Sequence, residues 1–288
     1  MKKNKQKVEE SKVVYYEDIL NDDFAGTNIK TKKTAKNFKF VRRNPIWRFF
    51  SWFVYYFIAV PIVGFYCFLI RGVKIKNKKA LRVAKKGRKQ GVFFYCNHSY
   101  MLDSFNINMV SQPYRNQILA SEDAFSIPGI KNFVQMLGAV PVPSGIENMR
   151  NFNKAIEYYL NHGRNIAVYP EQHIWPYYTG VRPFKDVSFT YPIKWNAPLI
   201  VVFTAYSKPT GLFKKLRKTN MTIILSNPIY PDPSKPLKEA KKELRDKVFN
   251  FMNECSKKYS TYDYIVYKHI SEKENIDSKD PPLKTTLM

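Results

Sequence analysis

The sequence predicts an α/β fold, a mainly parallel twisted sheet flanked by helices, preceded by an N-terminal membrane-associated helical hairpin. Two observations carry this reading. Short apolar runs at 91–96, 139–142, 166–169, 198–203 and 221–225 alternate with helix-like segments around 104–111, 128–137, 147–162 and 186–195. That alternation is the pattern of strand–helix–strand units. Ahead of it, Phe49 to Ile70 is a stretch of 22 uncharged, mostly apolar residues. In open α/β sheets ligands bind beyond the carboxyl ends of the strands, so polar residues that directly follow an apolar run are site candidates.

In chain order, residues 1–45 are polar and charged and read as an arm, with Tyr15, Tyr16 and the acidic Glu17 to Asp23 cluster as its packing points. Residues 46–70 follow. As one helix, Phe49 to Ile70 is about 33 Å long, enough to span a hydrocarbon core of ~30 Å. Pro61 and Gly64 interrupt it, however, and basic residues flank both ends: Lys32, Lys33, Arg42, Arg43 and Arg48 before, and ten Lys or Arg with no acid in 71–90 after. A single pass cannot keep both basic flanks in the cytoplasm, whereas two short arms dipping into one leaflet can. This predicts a monotopic or re-entrant hairpin on the cytoplasmic face of the cell membrane. A buried core helix is the other reading; a signal peptide is disfavoured by the length of the run and its distance from the first residue.

Residues 71–90 read as a basic surface element, either drawn to an anionic leaflet or merely solvated. Residues 91–270 form the main domain, which closes with a helix over 236–256 carrying Leu237, Ala240, Leu244, Val248 and Met252 at helical spacing. Residues 271–288 are polar, contain Pro281 and Pro282, and are expected to be disordered. No repeat suggests a second comparable domain.

Composition narrows the partners. A net charge of +25 with 16% aromatic residues implies an anionic partner, nucleic acid or an anionic lipid surface. The apolar run favours lipid, and the absence of a Gly-rich phosphate loop or a nucleic-acid motif argues against nucleic acid. Cys67, Cys96 and Cys255 are too few and too scattered for a disulfide framework or a zinc site, so a reducing cytosolic setting is expected and no metal.

The sharpest local signal is Asn97-His98-Ser99-Tyr100-Met101-Leu102-Asp103, directly after the run Gly91 to Cys96. A histidine at a strand end can take a proton from a hydroxyl, while a carboxylate five residues on holds its tautomer and stabilises the imidazolium. Three further blocks follow in order: Gly138-Ala139-Val140-Pro141-Val142-Pro143, then Val168-Tyr169-Pro170-Glu171-Gln172, then Ala197-Pro198-Leu199-Ile200-Val201-Val202-Phe203. This succession resembles the glycerolipid acyltransferase family, which includes lysophosphatidic acid acyltransferases: an NHxxxxD block, a glycine-led block, a PEG or PEQ block and a Pro-containing apolar block. The resemblance covers roughly residues 90–205, and Tyr15 to Ile29 looks like a lead-in of one bacterial branch with a PEQ third block.

The resemblance implies that His98 is the general base on a glycerol hydroxyl, Asp103 its orienting acid, and Glu171 an acid that orders the acceptor site. Glu171 as a structural carboxylate capping a turn is the alternative. An acyl-CoA or acyl-carrier-protein thioester is then the co-substrate, a lysophospholipid the acceptor, and no further cofactor is implied. Backbone N–H groups near the start of the helix after His98 are expected to stabilise the oxyanion. Two departures touch the acceptor. Where many members carry an arginine soon after the second-block glycine, this chain reads Val142-Pro143-Ser144, and where the third block commonly ends in Gly-Thr-Arg it reads Gln172-His173-Ile174. A phosphate still requires cationic donors, and Arg150, Arg182 and Lys185 are the candidates. His162, His173 and His269 are read as surface or packing residues.

Overall fold

The computed structural model describes residues 12–25, 31–127 and 129–272. The expected disorder of the C-terminal tail falls almost wholly on 273–288, outside the described residues. The centre is a seven-stranded sheet made of β2 (Lys74–Lys76), β3 (Phe93–Cys96), β4 (Asn116–Ala120), β5 (Ala139–Pro141), β6 (Asn165–Val168), β7 (Leu199–Ser207) and β8 (Asn220–Leu225). Its order is β2-β8-β7-β3-β6-β4-β5. The five strands from β7 to β5 are parallel; β8 pairs antiparallel with β7, and β2 runs with β8.

The central strands are apolar throughout because both faces are covered. Alternate residues of β3 enter opposite cores: Phe93 and Tyr95 one, Phe94 and Cys96 the other. Strand β7 repeats the division, with Leu199, Val201 and Phe203 on the first face and Ile200 and Val202 on the second. The first core is closed by the helices Ile146–Asn161, through Phe152, Ile156 and Leu160, and Leu237–Tyr259, through Leu244, Val248 and Met252. The second is closed by the helices Pro45–Ile70, Lys79–Lys85 and Asp103–Ser111. We call these five α4, α5, α1, α2 and α3 respectively, in chain order α1 to α5. The result is a three-layer α/β sandwich, as the alternation of elements predicts.

The expected hairpin is corrected: Pro45–Ile70 is one continuous helix. It alternates α-helical Pro45–Phe53 and Val60–Gly64 with π-helical Val54–Ala59 and Phe65–Ile70. The Val60 N–H reaches back to the Tyr55 carbonyl, so the turn before Pro61 is widened and the ring is accommodated without a break. Gly64 keeps helical angles, and a Cβ there would meet Met109 Sδ on α3 at an ordinary 3.6 Å, so the glycine marks no bend. The helix ends at Gly72, whose φ of 62° is left-handed.

The basic stretch 71–90 contributes the edge strand β2 and the helix α2, with Ala80, Leu81 and Ala84 buried and most of its cations exposed, so its charge sits on the outside of the folded domain. The N-terminal arm packs as well: β1 (Lys12–Tyr16) pairs in parallel with β9 (Ile265–His269), and Phe40 enters the first core.

The second-block glycine has a steric reason. Gly138 has φ of 104°, and a Cβ there would lie 2.4 Å from the Asn116 carbonyl oxygen on the neighbouring strand β4. Gly138→Ala is therefore expected to cost about 2–4 kcal/mol in urea unfolding. Gly129→Ala, at φ of 80° with open space around it, is expected to cost only the backbone strain of about 1 kcal/mol. Equal losses at the two positions would show that the close approach to Asn116 is not the constraint.

Candidate active site

The NHxxxxD block leaves the carboxyl end of β3 and is clamped there before the chain turns into α3. Asn97 does the clamping: its Oδ1 accepts from the Thr204 N–H at 2.8 Å and its Nδ2 donates to the Thr204 carbonyl at 3.2 Å. Only a side-chain amide offers an acceptor and a donor in that spacing, matching a backbone edge. Ser99 is held from the same strand, its carbonyl accepting from the Tyr206 hydroxyl at 2.9 Å.

Asp103 opens α3 and is buried. One of its oxygens, Oδ2, gathers the Ser99 N–H at 2.9 Å, the Tyr100 N–H at 2.9 Å and His98 Nδ1 at 3.3 Å. The helix N-terminus favours an anion at this place. Burial pushes the Asp103 carboxyl up, opposed by His98 and by the two amides. The 3.3 Å contact is long, as such contacts often are without substrate. The His98 ring lies against Tyr169, centroids 4.4 Å apart, and its side chain keeps 18% of its exposure. With Nδ1 turned to Asp103, Nε2 is the atom that can serve as base. The amides of Ser99 and Tyr100 are already taken by the carboxylate, so these two do not supply the expected oxyanion contacts.

Glu171 follows β6 and is buried. Its Oε2 accepts from the His98 N–H at 3.2 Å, and its Oε1 from the Arg182 N–H at 3.3 Å. The third block thereby pins the backbone of the first. Gln172 beside it has φ of 66°, a conformation that suits glycine and explains the glycine common here in the family the sequence resembles. Arg182 Nη2 lies 3.7 Å from Glu171 Oε2 and donates to the carbonyls of Glu171, at 3.1 Å, and His173.

Of the three candidate phosphate donors, Arg182 is thus placed under the crevice, 1% exposed, as the counterion of Glu171. Lys185 and Arg150 are exposed, the former in the loop after Arg182 and the latter on α4. Sequence reasoning missed Tyr169, although it stands one residue after β6 where a side chain meets the site. It also missed Arg71, a buried guanidinium 4.8 Å from the centroid of the Tyr100 ring. Being one cation among ten in its stretch, Arg71 carried no signal that set it apart.

Burial pushes the Glu171 carboxyl up, opposed by Arg182 and by the amides that point at it. Arg182→Met leaves that carboxylate buried without its counterion, an expected loss of about 3–5 kcal/mol in urea unfolding at neutral pH. The sign with pH follows. A carboxyl raised in the fold binds its proton where the unfolded chain has released it, so the variant's deficit should grow as pH rises and shrink in acid. Glu171→Gln with Arg182→Met should cost less than the sum of the singles; additive costs independent of pH would show that the two groups are not coupled.

Comparison with known proteins gives one family match and a distant structural likeness. Residues 72–204 match the family model described as Acyltransferase, a stretch that holds the His98–Asp103 pair, Gly138, Glu171 and Arg182. Among curated proteins, none matches. Among solved structures the chain is similar to the crystal structure of the 1-acyl-sn-glycerophosphate (LPA) acyltransferase PlsC from Thermotoga maritima, at 17% identity, covering 76% of this chain and 98% of that one, with a TM-score of 0.47. The matched stretch contains all four blocks on which the resemblance to glycerolipid acyltransferases rests.

Proposed function

We propose that the protein is a membrane-associated O-acyltransferase that moves a fatty acyl group from acyl-CoA or acyl-carrier protein to the free hydroxyl of lysophosphatidic acid, giving phosphatidic acid for phospholipid synthesis. The observation that carries this is the pairing of His98 Nδ1 with the buried Asp103 at the open end of β3. Nε2 takes the proton as the acceptor oxygen attacks the thioester carbonyl and the new C–O bond forms. The tetrahedral adduct then collapses, the C–S bond breaks, and the imidazolium returns the proton to the departing thiolate. Asp103 stabilises the imidazolium between the two transfers. The acceptor attacks directly, so the scheme needs neither a covalent enzyme intermediate nor a metal. Glycerol-3-phosphate or another lysolipid is the alternative acceptor.

On this reading the helix α1 lies in the cytoplasmic leaflet of the cell membrane, in the monotopic form. It is the one helix among the described residues long and apolar enough to cross, and it exposes Phe49, Phe53, Phe57, Ile62, Phe65 and Phe68 along its outer side. The anionic lipid surface is then the partner of the basic charge.

The test uses the purified full chain, a panel of lyso-acceptors and glycerol-3-phosphate, both kinds of thioester, and mass spectrometry of the product lipids. His98→Ala is expected to lose at least ~100-fold in kcat, Asp103→Asn to be severely impaired, and chelator to change nothing. A folded His98→Ala with wild-type turnover would overturn the mechanism. If Lys185 and Arg150 hold the acceptor phosphate, neutralising either should raise the acceptor KM well above its effect on the thioester KM, by roughly 10-fold or more for a charge-assisted contact. No effect from either favours an uncharged acceptor.

A further inference from the structure

The β7–β8 connection, residues 208–219, is a basic loop with exposed apolar side chains. It presents Leu212 at 91% exposure and Leu216 at 64%, with Lys214 and Lys215 exposed between them. From Lys208 to Asn227 the chain carries no acid. Solvated loops of a soluble protein rarely present large aliphatic tips interleaved with lysines, and the combination matches a surface that is apolar beneath and anionic above.

Its position is fixed to α1. Arg217 donates from Nε to the Phe213 carbonyl and from Nη2 to the Leu69 carbonyl, both at 3.3 Å, so one guanidinium holds the loop and caps the carboxyl end of the apolar helix. The guanidinium also fills the space beside Gly72, where a Cβ would come within 1.9 Å of it. The exposed Phe65, Phe68 and Leu69 at that end of α1 therefore continue into the loop. The loop leaves the carboxyl end of β7, which is the edge of the sheet that carries His98.

We infer that residues 208–219 are a second membrane-contacting element, which dips Leu212 and Leu216 into an anionic leaflet. The inference rests on the membrane reading of α1 and deepens it. A helix alone leaves the domain able to roll about the helix axis. A second contact off that axis stops the roll and turns the His98 edge of the sheet toward the bilayer, where an acyl-chain-bearing acceptor resides. Lys214 and Lys215 supply attraction to anionic headgroups that weakens with salt.

The experiment attaches an environment-sensitive fluorophore to single exposed cysteines in the full chain, Leu212→Cys, Phe57→Cys on α1 and Lys238→Cys. The three native cysteines are buried, and unmodified protein controls for their labelling. Lys238 is exposed near the start of α5, which follows β8 at the opposite edge of the sheet. On vesicles of phosphatidylcholine and phosphatidylglycerol in equal parts, labels at 212 and 57 should brighten and shift to the blue while 238 stays unchanged. The response at 212 should be lost in Leu216→Glu and reduced by high salt. A response at 57 without one at 212 overturns the second contact while sparing the membrane reading. Silence at both overturns the membrane reading as well, and an equal response at 238 shows unoriented adsorption and removes the inference.

Discussion

The site depends on one buried ion pair. A carboxylate as deeply buried as Glu171 is costly unless it is both neutralised and hydrogen-bonded, and Arg182 does both, offering its backbone N–H to one oxygen and its guanidinium to the other. The oxygen nearest the guanidinium is the one that also receives the His98 amide. A displacement of Arg182 therefore moves the Glu171 carboxylate, and with it the backbone that carries the His98 imidazole. The charge of this acid holds two blocks together, which is a structural duty.

That pair explains what replaces the commoner Gly-Thr-Arg ending of the third block. Here the loop runs on as Gln172-His173-Ile174-Trp175, and the two ends of the described chain close over it. The Trp175 indole donates to the Asp22 carbonyl at 2.8 Å, and the Phe24 amide donates to the Ile174 carbonyl at 3.0 Å. The indole face covers Arg182, 5.1 Å from its guanidinium carbon, and stacks on Tyr267 of β9 at 4.8 Å between centroids. The β1–β9 pair is thus a clasp over the cation that serves Glu171, and it keeps that cation dry.

The central sheet was legible because its strands are buried on both faces, so that Phe93 to Cys96 and Leu199 to Phe203 read as unbroken apolar runs. What was not legible lacks that signature. Strand β4 starts with Asn116 and Gln117, both buried, the first held by a polar network that includes Asn108, Ser111 and Asn165, and no local pattern distinguishes such a pair from a surface loop. Strand β2 is three residues, two of them lysines. His98 and Asp103 stood out because they lie five positions apart at the end of an apolar run. The inward turn of Arg182 did not, since whether an arginine faces a crevice or a buried acid is decided by long-range contacts that sequence spacing leaves open.

The helix α1 shows how local geometry overrides a residue-level rule. Its buried positions are Ser51, Tyr55, Val63 and Cys67, continued by Arg71, all multiples of four apart. In an α-helix with 3.6 residues per turn that series would wind away from the domain. The π-helical turns advance fewer degrees per residue, and mixing them with α-helical turns brings every fourth residue back to the same side. The proline and glycine that read as a break are thereby absorbed into a helix fitted to its support. The Ser51 hydroxyl bonds the Met136 carbonyl and the Tyr55 hydroxyl bonds Asn108, so the stripe is polar where it meets the domain. These partners belong to the folded domain and cannot follow the helix into hydrocarbon. Under the proposed membrane association, the same residues that dock α1 therefore hold it along the protein's surface, with its aromatic side left to the lipid.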